Sequence, residues 1–171
     1  MHLTLFNIVF REQGERETRV IITSGHAGLP DDEYALLEAY CPDPECDCRR
    51  VMLNVVSRRE GSRYLASVGF GFDRNDAMAG PYLDPLNPQS QYADTLLPLL
   101  VLALADPTYV ARLETHYQQF KRGAADQKDP AHEAIRQIWL DEKRWEASQN
   151  RKAPGVRKTT TGDRKKKRRK K

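Results

Sequence analysis

Three cysteines stand within eight residues, in the run Tyr40-Cys41-Pro42-Asp43-Pro44-Glu45-Cys46-Asp47-Cys48-Arg49-Arg50, and the 171-residue chain has no others. An odd number so closely packed is no disulfide framework. It reads as a C-x4-C-x-C ligand cluster. Soft thiolates at this density can converge on one borderline-soft cation, with the prolines shaping the turn between them. Such a site ties the element that ends at Cys41 to the one that begins after Cys48, so no other feature limits the fold as much. The donor set suits one Zn2+, and free thiols suit a reducing, cytoplasmic compartment.

A tetrahedral site needs a fourth ligand. The histidines are His2, His26, His116 and His132. His26, flanked by Gly25 and Gly28 in a loop, is the expected choice, because a helix between it and Cys41 would bring the two segments back together. His116 and His132 would need a tertiary approach from late helices, and Asp43 or Asp47 could offer a carboxylate oxygen. A site closed by His26, Cys41, Cys46 and Cys48 leaves no position for a catalytic water and is structural. Two other readings compete. Cysteines are often small buried hydrophobes, which fits Cys41 but not Cys46 and Cys48 among Asp, Glu and Arg. A redox pair would call for C-x-x-C.

Around the cluster the pattern predicts an α+β fold with a small, mainly antiparallel ββαββ sheet and a knuckle-like cysteine turn. Residues 3–11 alternate as a strand, 12–17 read as a hairpin turn, and Thr18 to Thr23 as the returning strand. After Pro30, the acids Asp31, Asp32 and Glu33 suit the first turn of a helix running to about Tyr40, with Tyr34, Leu37 and Cys41 on one face. Arg50 to Ser57 and Arg63 to Phe72 are the next strands, joined by Arg59-Glu60-Gly61-Ser62. Residues 73–93 form a long loop of unassigned role. The second half is helical: about 93–105, then from Asp106 and Pro107 to about Lys121, then from Asp129 and Pro130, with Ile135, Ile138, Trp139 and Trp145 as its apolar stripe. Tyr109, Tyr117 and Phe120 read as core.

Charge marks the boundary of this domain, expected over 1–150. Residues 151–171 carry twelve Lys or Arg against Asp163 alone, a net +11, while the first 150 residues carry 16 basic and 23 acidic, a net −7. The overall +4 and pI near 9.0 therefore describe the tail. The chain ends in eight consecutive basic residues, Arg164, Lys165, Lys166, Lys167, Arg168, Arg169, Lys170 and Lys171. Such a run repels itself and has nothing to bury, so a disordered arm is expected. On DNA or structured RNA it would contact phosphates without reading sequence. A localisation signal directing the chain to a nucleus, a polybasic membrane contact, folding back onto the acidic body and a solubilising tail with no partner are its alternatives. The acidic body itself suits a protein partner, as in an adaptor or regulator.

The longest apolar run, Leu96 to Ala105, is interrupted by Pro98 and too short to span a bilayer. The first residues lack the basic and apolar regions of a secretory signal. No nucleophile elbow, P-loop, dinucleotide fingerprint or zincin motif occurs, so a non-catalytic role is expected. Gly69-Phe70-Gly71-Phe72 reads as close strand packing. The acids Asp73, Asp76, Asp84 and Asp94 could form a metal-dependent enzyme site, but acids in turns usually cap backbone.

Overall fold

At every second position from Tyr34 to Tyr40 a side chain turns to one buried face: Tyr34, Leu36, Glu38 and Tyr40. That period of two makes the segment a strand, β3 (Glu33–Tyr40), in a computed structural model that describes residues 3–73 and 75–152. The helix expected here is thereby corrected. Asp32, expected in a helical first turn, instead accepts hydrogen bonds from Ser57 Oγ and from the Arg59 amide, 3.2 Å away. The match of Tyr34, Leu37 and Cys41 to a helical stripe has no counterpart in the structure, since Leu37 lies on the opposite face of β3.

The opening strand is also shorter than expected. Only β1 (Thr4–Leu5) is extended; α1 (Phe6–Val9) and α2 (Arg11–Glu17) follow, then β2 (Arg19–Ile22). Phe6 and Phe10, four residues apart, bring their rings to 4.8 Å, a helical spacing that outweighs the apparent alternation. Residues 12–17 are therefore helix and not a hairpin turn. β1 and β2 do not pair with each other. Both pair antiparallel with β3, Thr4 opposite Tyr40 and Arg19 opposite Leu36, so they lie end to end along one of its edges.

The other edge of β3 carries β4 (Arg50–Ser57) and then β5 (Tyr64–Gly71), antiparallel and close to the expected bounds. Their turn places Gly61 at φ +67°, a conformation open to glycine. At Gly69 a Cβ would meet the Tyr82 ring at 2.6 Å, the close approach that explains a glycine inside a strand. Tyr82 belongs to β6 (Tyr82–Leu83), which pairs with Val68 and Gly69 and completes a six-stranded antiparallel sheet. The long loop is thus a strap along β5. The Ser90 amide donates to Leu65 O at 3.0 Å, Gln89 Oε1 accepts from the Ser67 amide at 3.0 Å, and the Gly71 amide donates to Ala79 O at 2.7 Å.

Helices α3 (Ala93–Leu104), α4 (Pro107–Ala125) and α5 (His132–Lys152) form the second half, as expected. α3 packs on β5, α4 on β3 and β4, and α5 on α4. One apolar core joins Tyr34, Leu36 and Tyr40 to Leu53, Val55, Val68, Leu96, Leu100, Leu113 and Phe120. The stripe on α5 reaches this core only through Ile135, while Trp145 is 54% exposed. No helix among the described residues is long and apolar enough to cross a membrane.

Asp106 starts α4 as its sequence suggests, its Oδ1 accepting from the Thr108 amide at 2.9 Å, with Pro107 in the first turn. Its partner across the sheet edge, Arg19, is 3.6 Å away and half exposed, so the cap carries most of the value of this side chain. Asp106→Ala should cost about 1 kcal/mol in urea unfolding with an unchanged m-value, and Asp106→Asn much less.

Candidate metal centre

β3 ends at Tyr40 and releases Cys41 directly into a turn that returns to β4 at Arg50. The turn is shaped by its own side chains. Asp43 O accepts from the Cys46 amide at 3.3 Å, Asp43 Oδ1 from the Glu45 amide at 3.0 Å, and the Cys48 amide donates to Cys46 Sγ at 3.4 Å. Lys121 of α4 clamps the same carbonyl, Nζ to Asp43 O at 2.6 Å. The result gathers Cys41, Cys46 and Cys48 with all three sulfurs within 4.8 Å of one another. Cys41 is buried; Cys46 and Cys48 are half-buried.

Three thiols placed this way could hold a metal ion. Sulfurs bound tetrahedrally at ~2.3 Å would stand about 3.8 Å apart, so a small contraction would close the set. The electrostatics favour a thiolate. The hydrogen bond from Cys48 lowers the Cys41 pKa to about 6 against the opposing effect of burial, helped by backbone near Asp43, by Cys46 and by the Lys121 charge. Cys48, as donor to Cys41, is pushed well above its ordinary value, and burial pushes it the same way.

The structure does not bring His26 to these thiols. Because the intervening segment is a strand rather than a helix, His26 precedes one end of β3 and Cys41 follows the other, ~25 Å of extended chain apart at about 3.3 Å per residue. The His26 side chain is exposed and its Nδ1 lies 2.9 Å from the neighbouring Ala27 O. Among the described residues no carboxylate or imidazole joins the three sulfurs, Asp43 and Asp47 included. His132 Nδ1 is 3.0 Å from Gly123 O. The loop acids do not converge either: Asp73 caps the Asn75 amide, Asp76 pairs with Arg50 at 2.7 Å, and buried Asp84 accepts from Asn87. Residues Arg164 to Lys171 lie outside the described residues.

One cluster was missed by sequence reasoning. His116, 1% exposed, sits between two carboxylates, Nδ1 to Glu38 Oε2 at 2.7 Å and Nε2 to Glu17 Oε2 at 2.8 Å. Its ring stacks on Phe6 at 4.2 Å, and Tyr40 donates its hydroxyl to the same Glu38 oxygen at 2.9 Å. Both ring nitrogens are therefore committed. The signal was available: Glu38 falls on the buried face of an apolar strand, and His116 lies on the same helix face as Leu113 and Phe120.

No protein family, curated protein or solved structure matches the chain.

Proposed function

We propose that this chain is a non-catalytic, zinc-stapled α+β body that associates with nucleic acid through its basic C-terminal arm. The observation that carries the metal half is the convergence of Cys41, Cys46 and Cys48, with the turn pinned to α4 by Lys121. Soft sulfur donors favour Zn2+ over harder divalent ions, and an ion there would join the end of β3 to the start of β4. Its role would be structural, adding binding energy to folding. The nucleic-acid half rests on the charge division of the sequence. A net −7 on the first 150 residues disfavours broad phosphate contact by the body, whereas twelve basic residues in the last 21 favour it.

Metal analysis tests the first half. Full-length protein purified without chelator should carry about one equivalent of zinc, and Cys46→Ser almost none. Equal and negligible metal in both would refute the site. Nucleic-acid binding by the full chain and by a 1–150 truncation tests the second half. If neither binds near physiological salt, the acidic body becomes the interacting surface and a protein adaptor or regulator the better reading.

A further inference from the structure

Strand alternation gives the sheet two faces, and the helices that lie against it occupy one. They send Phe6, Leu96, Leu100, Leu113 and Phe120 into a core with Leu36 and Tyr40 of β3, Leu53 and Val55 of β4 and Val68 of β5. The register puts the intervening residues on the other face. Val20 stands opposite Ala35, Leu37 opposite Asn54, Met52 opposite Ala39 and Gly69, and Val56 opposite Tyr64. A Cβ at Gly69 would strike the Tyr82 ring, so Tyr82 lies there as well. None of these side chains belongs to the core. Val20 is 43% and Tyr64 39% exposed, with Leu37, Met52 and Val56 half-buried between them. The polar pair at the centre is already matched, Ser67 Oγ donating to Asn54 Oδ1 at 2.7 Å. Charges at the rim are matched too, Arg58 with Glu33 at 2.9 Å and Arg50 with Asp76 at 2.7 Å. Such a face presents no unpaired cation to a phosphate and no net charge to oppose a copy of itself.

We propose that this second sheet face is the contact surface of a reversible homodimer, two copies stacking sheet on sheet about a twofold axis. Area supports a second copy as the occupant. At about 3.3 Å per residue and 4.8 Å between strands, β3, β4 and β5 with the shorter β2 and β6 cover roughly 500 Å² in projection, before the relief of the side chains is added. That is at the upper end of the apolar patch a monomer leaves open. A standard interface buries about 800 Å² per partner, and somewhat smaller ones serve weak association. Stacked sheets lie about 10 Å apart with their strands within roughly 30° of each other, and the alternating apolar residues of both inner faces fill the space between. In a twofold contact the same residues arrive from both sides, so each substitution acts twice.

The test is sedimentation velocity of the full chain, freed of nucleic acid, over a concentration series. Wild type should pass from monomer to dimer in the micromolar range. Met52→Lys and Val20→Lys should each weaken the dimer by at least about tenfold, because the contact would bury two unpaired ammonium groups. Leu102→Lys, at an exposed position on α3, should dimerise as wild type does. Urea midpoints confirm that each variant is folded, and Val20, at the exposed edge strand, carries the test should Met52→Lys fail to fold. A wild type that stays monomeric at every concentration overturns the proposal. So does a dimer that folded Met52→Lys and Val20→Lys leave intact, since it would be built on the strand edge or the helices. A monomer whose affinity for single-stranded nucleic acid falls in Tyr64→Ala would assign the face to unpaired bases instead.

Discussion

Removing residues 151–171 should collapse nucleic-acid affinity while leaving the folded body intact. Each phosphate neutralised by Lys or Arg releases condensed counterions, and the observed binding constant then falls with salt at about 0.7 per phosphate on a single strand and about 0.9 on a duplex. Twelve basic residues on an arm could engage roughly 6–8 phosphates, giving a slope of about −4 to −7 in log–log form. Between 50 and 200 mM salt this is a loss of some 10²- to 10⁴-fold for the full chain. The truncation, at net −7, should show neither the affinity nor the slope. Duplex DNA and structured RNA are both measured, because contacts made only to phosphate distinguish them weakly. The arm holds no aromatic residue, so stacking on unpaired bases adds nothing there. A truncation that binds as well as the full chain would move the interface onto the body and refute this account.

A second large effect is expected at His116. Replacing it with leucine leaves Glu38, 7% exposed, and Glu17 without the group between them, and leaves Tyr40 as the remaining partner of Glu38. Removing one partner from a buried charged set costs about 3–5 kcal/mol, because the desolvated partner stays behind. The pH dependence separates this charge effect from simple loss of packing. Burial of His116 disfavours its charged form, but hydrogen bonds and charge from Glu38 and Glu17 outweigh it and raise its pKa above the ordinary 6.5. The stability it contributes is therefore fully present below pH 6.5 and lost as pH rises through the raised folded value. Glu17 behaves in the opposite sense. Hydrogen bonds from Arg16 and then His116 lower its pKa from 4.5 to about 2, so its contribution is present above pH 4.5 and lost as pH falls toward 2. Urea unfolding of wild type should weaken from near-neutral to alkaline pH, and His116→Leu should lack that limb. The alkaline side is the diagnostic one, since acid also protonates thiolate metal ligands. An identical alkaline slope in both proteins would show that His116 is held neutral.

What could be read from the residues follows how local each signal is. β4 and β5 are short, mostly apolar runs of eight residues each that meet at a turn containing Gly61, so their existence and pairing follow from neighbours in sequence. The helices from Asp106 and Asp129 announce themselves through caps, each aspartate accepting from the amide two residues on. The cysteine turn is local as well, and its three sulfurs do converge. The first 40 residues are different. Glu33–Tyr40 carries both a helical and a strand period, and pairing on two edges decides in favour of the strand. Once β3 is extended, the loop of His26 is carried away from Cys41, so the expected approach of His26 depended on that one element being a helix. The Glu17–His116–Glu38 set joins positions up to 99 residues apart in sequence, and no spacing rule connects them.

The strap from Asn75 to Tyr92 closes one side of the sheet. An exposed strand edge is a template on which another chain can pair, and β5 has none to offer: β6 covers its centre, while Leu65, Ser67 and Gly71 are occupied by Ser90, Gln89, Asp84 and Ala79. The opposite edge is formed by β1 and β2, interrupted by α1 and α2, and leaves Val20 and Ile22 exposed. A strand added from another chain would find open backbone along β2 and not along β5.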